Sequence, residues 1–267
     1  MTTFRQFVTR NSLVIFFVLA YAISWSSVVP MNGSILPWGP AIAAVIVLGI
    51  TSGRRVLSDL WRQMTRWRVG WVWYLVAPGL VLLYTLVAFL VARLLGATVT
   101  STTGMSVSAA SLTILQLLIL GGQWEEPGWS GFALPRLQGR FTNRPVLASL
   151  VLGALRAGWH LPLVVYGHIP WYDFVFFGLG FQFLITWQYN RTRGSVLIVM
   201  LFHFTSNLMG AFLNSRFTGS DLTLFYGLFI AFAWLVVIAI LFKDGMSLGL
   251  QPGMSAVPAA NRLLEES

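Results

Sequence analysis

Long apolar runs recur along this chain, and they constrain its fold more than any other feature of the sequence. A helix needs about 20 predominantly apolar residues to cross a bilayer. Eight runs approach or exceed that length, at residues 12–30, 39–52, 71–95, 109–134, 145–166, 172–189, 195–213 and 222–242. Only 9% of the 267 residues are charged, against about 25% in soluble domains. The sequence therefore predicts an all-α, polytopic protein of the cell membrane with about eight transmembrane helices.

The basic residues indicate how these helices are oriented. If the N-terminus is cytoplasmic, only Arg93 and Arg216 of the 17 lysines and arginines fall on the outer side, and Arg156 lies within the fifth span. Because cytoplasmic loops collect Lys and Arg, both termini are predicted to be cytoplasmic. Topology also accounts for the net charge of +9, so we expect membrane lipid, and no nucleic acid, as a partner. The chain has no cysteine, which excludes disulfides and thiolate metal sites.

Two further segments have their own character. Residues 53–69 place apolar side chains at helical spacing against arginines, which predicts an amphipathic helix lying in the membrane interface. It would serve as a cytoplasmic anchor or as a contact for substrate or lipid. Residues 1–245 are expected to form a single membrane domain. Pro252, Gly253 and Pro258 predict a loosely ordered cytoplasmic tail over residues 246–267.

Two adjacent carboxylates, Glu125 and Glu126, interrupt the fourth apolar run. A carboxylate at membrane depth is costly unless it is neutralised, hydrated or paired, so such a residue is read as functional by default. Pro127 follows directly and is expected to free a backbone carbonyl near Gln123 and to kink the helix. A kink at this position would admit water to the carboxylates.

Three more polar groups are predicted at a comparable depth. With a helical rise of about 1.5 Å per residue, Glu125 lies roughly 15 Å from the cytoplasmic end of its span, and His160 roughly 22 Å. His203 and Asn207 lie roughly 12–18 Å deep and, four residues apart, share a helix face. These positions predict one polar site within the bilayer. Asp173 lies near the outer end of its span and is expected to be solvated.

The polar residues also resemble a known set of motifs. Glu125-Glu126, His160 and His203-x-x-x-Asn207 are similar in order and spacing to the motifs of the CAAX protease and bacteriocin-processing (CPBP, or Abi) family of intramembrane endopeptidases, which includes type II CAAX prenyl endopeptidases. The similarity covers about residues 111–213. The flanking residues that share it are Gly128-Trp129, Gly131-Phe132, Leu134-Pro135-Arg136-Leu137 and Trp159-His160-Leu161-Pro162.

This resemblance implies a peptide hydrolase whose substrate is a peptide or protein, with or without a lipid. It implies that Glu125 is the general base, that His160 holds the same water, and that His203 and Asn207 donate to the oxyanion. Glu126 would orient these groups or balance charge. The family is commonly described as metalloproteases, and Glu125, His160 and His203 could bind one divalent metal such as zinc. The same residues could also activate water directly, and the sequence leaves both options open.

Two positions depart from the family pattern. Ser130 stands where the family usually has Arg, and Arg156 stands where it usually has an aromatic residue four positions before the first His. We expect Arg156 to replace the missing cation and to pair with Glu126, because it shares a helix face with His160. Two other functions stay open at this point. One is a catalytically inactive family member acting as a scaffold or bacteriocin-immunity protein. The other is a proton-coupled transporter, since buried carboxylates with His also form proton relays.

Overall fold

Every regular element that the structure describes is helical. The computed structural model describes residues 3–51, 54–100, 106–142, 144–213 and 216–250. The thirteen α-helices of these ranges are α1 (Thr3–Arg10), α2 (Ser12–Trp25), α3 (Gly39–Thr51), α4 (Arg54–Met64), α5 (Val72–Leu94), α6 (Val107–Leu120), α7 (Glu126–Gly128), α8 (Leu134–Arg140), α9 (Pro145–Trp159), α10 (Leu161–Val165), α11 (Gly178–Arg191), α12 (Val196–Leu213) and α13 (Gly219–Asp244).

The lengths of these helices support a multi-pass membrane protein. In the described ranges, four helical stretches are long and apolar enough to cross a membrane, and a fifth is obtained if α1 and α2, bent by 84°, count as one span. The apolar helices α3 and α9 have 13 and 15 residues, so each extends only about 20–22 Å against a hydrocarbon core of about 30 Å. The polytopic, all-α prediction is confirmed, and the number of eight spans stays a prediction.

The fourth apolar run is not one continuous helix, which corrects the sequence interpretation. Helix α6 stops at Gly121, whose ψ of 160° is extended. A 3-10 turn (Gly122–Glu125), α7 and a π-helical turn (Trp129–Ala133) then lead into α8. The side-chain amide of Gln123 donates to the carbonyls of Leu117 and Leu118 at 2.7 and 3.1 Å. It thereby satisfies carbonyls that the end of a helix leaves without intrahelical partners. The kink expected at Pro127 is thus a longer break that begins at Gly121.

The segment after this break also differs from its prediction. Residues 135–144 lie between the fourth and fifth apolar runs and would therefore be a connecting loop, but α8 continues to Arg140. Arg136 is only 9% exposed. Its Nη1 donates to the carbonyl of Phe132 at 2.9 Å, and its guanidinium lies 3.8 Å from the centre of the Phe132 ring. The stacking and the hydrogen bond keep the Arg136 guanidinium packed inside the protein. The sequence interpretation had instead placed this residue in a cytoplasmic loop.

Helix packing fixes the position of the broken fourth segment. Helix α2 packs on α3, α9 packs on α11, and α5 contacts both α12 and α13. Helix α3 also contacts α7, and the two backbones meet closely at Gly128. A Cβ atom on Gly128 would lie 2.4 Å from the carbonyl of Pro40, so a larger residue there would push α7 away from α3. The close approach places the two glutamates against the helix core.

The predicted amphipathic helix and the predicted tail each pack on the rest of the protein over part of their length. Val56 and Leu60 of α4 are buried and join the main apolar core, so one face of the predicted amphipathic helix packs on protein. In the predicted tail, Leu248 is fully buried and its carbonyl accepts from Asn190 Nδ2 at 3.1 Å. The remainder of the tail, 251–267, and residues 101–105 of the predicted outer loop lie outside the described residues.

Candidate active site

Four charged or ionisable side chains converge where the broken fourth segment meets α9 and α12. Glu125, Glu126, Arg156 and His203 are all buried. Nη2 of Arg156 lies 3.1 Å from Glu125 Oε2, 2.5 Å from Glu126 Oε1 and 3.1 Å from His203 Nδ1. The pairing of Arg156 with Glu126 that the sequence predicted is present. Arg156 thus pairs with both carboxylates, each of which would be costly to bury without a partner.

Glu126 is the most heavily bonded member of this cluster. Besides the contact with Arg156, its Oε2 accepts from Ser130 Oγ at 2.5 Å and its Oε1 lies 2.7 Å from His203 Nδ1. An ionised carboxylate can only accept, so Nδ1 of His203 carries the proton and donates. Both departures from the family pattern, Ser130 and Arg156, therefore end on the same carboxylate.

A second layer of side chains orients the cluster, and sequence reasoning missed it. Trp129 Nε1 donates to Glu125 Oε2 at 3.2 Å, and Gln182 Oε1 accepts from Arg156 Nη1 at 3.4 Å. The Phe181 ring lies 5.3 Å from the guanidinium of Arg156 and 5.1 Å from the His203 ring. Gln182 had a usable signal, because an uncharged amide inside an apolar run needs a hydrogen-bond partner.

The cluster forms part of the wall of a cavity of about 440 Å³. Arg156, His160, His203 and Asn207 line this cavity, as does the backbone of Gly122. Glu125 lies behind this lining, with its Oε1 next to Gly122. A Cβ atom on Gly122 would lie 2.4 Å from His203 Nε2 and 2.8 Å from Glu125 Oε1. Both distances are shorter than van der Waals contact, so Glu125 Oε1 and His203 Nε2 pack directly against Gly122, and a larger residue there would displace them.

His160 and Asn207 both face the cavity, but neither touches a glutamate. His160 ends α9, and its Nδ1 donates to the carbonyl of Arg156 at 2.9 Å. That hydrogen bond fixes the neutral tautomer with an unprotonated Nε2, which can accept from a bound water. Asn207 is half-buried and makes no hydrogen bond within the described residues, so its amide can donate to a ligand. The structure brings the predicted residues to one cavity, while their roles stay predictions.

The side chains do not fit the metal site that was considered from the sequence. Glu125, His160 and His203 were the candidate ligands, yet within the ranges described above no three His, Cys, Asp or Glu side chains form a group that could hold an ion. Nη2 of Arg156 occupies the point on which the two glutamates and His203 converge. A guanidinium at that point supplies the positive charge that a metal ion would bring.

Asp173 is a correction to the sequence interpretation. It was expected to be solvated near the outer end of its span, but it lines the same cavity, and its Oδ1 is buried without a hydrogen-bond partner among the described residues. The π-helical turn Asp173–Phe177 that precedes α11 turns this residue inward. Its position places a carboxylate in the lining of the cavity, where neither glutamate is found.

Comparison with known proteins identifies the segment that carries this geometry. Residues 106–209 match the model of the family described as type II CAAX prenyl endopeptidase Rce1-like. This segment is Rce1-like. The family resemblance drawn from the sequence motifs is thereby confirmed. The Rce1-like segment contains both glutamates, Arg156, His160, His203 and Asn207.

A curated relative points the same way. The chain is similar to CAAX prenyl protease 2 of Methanococcus maripaludis, with 33% identity over 39% of this chain and 42% of that protein. The chain thus matches less than half the length of this relative. The similarity and the apolar helices together indicate a multi-pass membrane protein with a segment similar to CAAX proteases, which are peptide hydrolases.

Proposed function

We propose that this protein is an intramembrane endopeptidase of the cell membrane that hydrolyses a peptide bond with a water activated by Glu125. One observation carries the proposal: Glu125 Oε1 and His203 Nε2 both pack against Gly122, which lines the cavity together with His160, His203 and Asn207. A water in the cavity beside Gly122 would lie near a base and a potential donor. General base and oxyanion donor are the two groups that amide hydrolysis needs.

The first step is attack by this water. Glu125 takes one proton from it, the unprotonated Nε2 of His160 accepts a hydrogen bond from its other hydrogen, and the oxygen bonds to the scissile carbonyl carbon. Trp129 and Arg156 contact Oε2 of Glu125, which leaves Oε1 free to act as the base. The carbonyl oxygen then carries the negative charge.

Stabilisation of that oxyanion falls to His203 and Asn207. His203 Nδ1 donates to Glu126, so Nε2 can donate only when the ring is an imidazolium. The proposed step therefore requires an imidazolium at His203, whose charge, together with that of Arg156, would match the two negative charges of Glu125 and Glu126. The proton held by Glu125 finally passes to the leaving amine as the carbon–nitrogen bond breaks, which returns the carboxylate.

Cleavage by the purified protein tests the proposal. Wild type in lipid nanodiscs is expected to cut members of a pooled peptide library, and Glu125→Gln is expected to lose about 10²- to 10⁴-fold in rate, the usual contribution of a general base. Asp221→Asn is the matched control, because its carboxylate accepts from Thr98 outside the cavity. Equal rates for wild type and Glu125→Gln would contradict the assignment of the base. An absence of cleavage by wild type would favour an inactive scaffold or immunity protein.

Removal of metal ions is expected to leave the rate unchanged. Arg156 supplies the cation at the point where the carboxylates and His203 converge, so no divalent ion is needed to balance them. The measurement is wild-type cleavage before and after dialysis against a chelator. A loss of activity that returns on addition of zinc would contradict this role of Arg156.

The topology accompanying this function is also a proposal. We infer eight spans with both termini cytoplasmic, formed by α2, α3, α5, the broken segment from α6 to α8, α9 with α10, α11 with its preceding π-helical turn, α12, and α13. Because the chain has no cysteine, single cysteines can report sidedness without background. In intact cells, a membrane-impermeant maleimide is expected to label Ser108→Cys and to leave Thr65→Cys unlabelled. The reverse pattern would invert the proposed orientation.

A further inference from the structure

Asp173 is a half-buried residue whose carboxylate the proposed chemistry does not use. It begins the π-helical turn Asp173–Phe177 and lines the cavity. Its Oδ1 is buried and has no hydrogen-bond partner in the described part of the chain, and none of the ion pairs there includes it. A buried acceptor without a partner is destabilising in the free protein. Such a group is a place where a ligand can gain free energy.

The position of Asp173 along the cavity follows from the helices that hold it. Helices α11 and α12 are joined by a short connection and run antiparallel, and they meet where the Phe181 ring contacts the His203 ring at 5.1 Å. Asp173 lies eight residues before Phe181, and Ala211 lies eight residues after His203. Both therefore lie about 12 Å from that contact along the helix axes. Both also line the cavity, which thus has His203 at one end and Asp173 at the other.

The charges differ between these two ends. At the His203 end, Arg156 pairs with both glutamates. At the Asp173 end, the described lining supplies no cation, and Tyr226 also lines the cavity. The lining further includes the apolar side chains of Leu117, Leu163 and Phe229. A Lys or Arg side chain would complement an apolar lining with a carboxylate, because its apolar stem carries a positively charged end.

We propose that Asp173 is a specificity-determining residue that binds a Lys or Arg side chain of the peptide substrate, about three to four residues from the cleaved bond. The spacing follows from the cavity: an extended peptide rises about 3.3 Å per residue, so about 12 Å corresponds to three to four residues. The carboxylate of Asp173 would accept a charge-assisted hydrogen bond from the ammonium or guanidinium group. This inference rests on the proposed peptidase function and names a feature of its substrate.

A positional scan of one cleaved peptide tests the inference. Each position within five residues of the bond is replaced by lysine and, in a matched peptide, by norleucine, which keeps the unbranched stem and removes the charge. At one position three to four residues from the bond, lysine is expected to raise the wild-type kcat/KM about tenfold over norleucine, the effect of one charge-assisted hydrogen bond. If lysine gives no preference at any position, the inference is wrong, whatever the variants do.

The variants separate recognition from a structural role. Asp173→Asn is expected to lower lysine-peptide cleavage about tenfold more than norleucine-peptide cleavage, and Asp173→Glu to restore part of the preference. Asp221→Asn is the matched control and is expected to keep the wild-type ratio. Thermal unfolding followed by tryptophan fluorescence shows whether each variant is folded. If Asp173→Asn lowered both rates by the same factor, Asp173 would be structural and the inference would fail.

Binding to the Glu125→Gln protein distinguishes this inference from the proposed function. The two labelled peptides are titrated against Glu125→Gln with and without Asp173→Asn, and affinity is read by fluorescence anisotropy. A lysine preference that disappears with Asp173→Asn supports cation recognition even if wild type cuts no peptide. Cleavage by wild type without any lysine preference would support the peptidase and overturn the role of Asp173.

Discussion

Arg156→Phe is expected to lower the free energy of unfolding by about 3–5 kcal/mol, the cost of removing one partner from a buried ion pair, and to abolish cleavage. Arg156 is only 2% exposed and contacts Glu125, Glu126 and His203. Without the guanidinium, two buried carboxylates lie next to each other with His203 as their nearest cation. The measurement is unfolding in mixed detergent micelles, together with library cleavage.

A second substitution tests whether Arg156 supplies the positive charge that the family usually has at position 130. Ser130 is fully buried and already donates to Glu126, so an arginine at this position could reach the same carboxylate once Arg156→Phe has removed the original guanidinium. Ser130→Arg alone is expected to destabilise the protein, because it adds a charge and volume to a packed site. The double variant is expected to regain stability, with a coupling of about 0.5–3 kcal/mol.

Arg156→Lys serves as the control for charge without geometry. A lysine ammonium is a compact point charge and does not reproduce the planar donor fork of arginine. It is therefore expected to keep more stability than Arg156→Phe while losing part of the activity. Full activity and stability of the single Arg156→Phe variant would contradict the hypothesis that Arg156 replaces the arginine usually found at position 130.

Gly122→Ala is expected to lower kcat/KM for peptide cleavage by about 10⁴-fold or more without unfolding the protein. The added Cβ would lie 2.4 Å from His203 Nε2 and 2.8 Å from Glu125 Oε1, so both side chains would have to move away from Gly122. The general base and the oxyanion donor then lose their positions relative to the scissile bond, so the losses from base catalysis and from positioning multiply. The measurement is kcat/KM for a peptide that wild type cuts.

Gly79→Ala is the matched control for this variant. Gly79 lies in α5, and a Cβ atom there would meet nothing within 4 Å, so activity is expected to stay at the wild-type level. A Gly122→Ala protein that is folded and fully active would contradict the proposed roles of Glu125 and His203, because both side chains must move to admit the new Cβ.

The sequence determined the class of the protein and most of the candidate site. Its apolar runs and scarce charges are compatible only with helices in a membrane, because a lipid-exposed backbone must satisfy its own hydrogen bonds. The Glu-Glu, His and His-x-x-x-Asn motifs identified the helical segments that line one cavity. Charged residues in apolar runs are informative since their burial requires partners, and the pairing of Arg156 with Glu126 could be predicted for that reason.

Only the tertiary structure decided which side chains face each other. Most of these helices are apolar on all sides, since both lipid and the protein interior accept apolar side chains. Hydrophobic periodicity therefore cannot indicate which face of α11 or α12 points inward. The break at Gly121, the contact of Arg156 Nη2 with three partners, and the inward position of Asp173 all depend on helix rotation and local irregularity. These are set by the packing of neighbouring helices, such as α3 against Gly128, which the sequence of one segment does not contain.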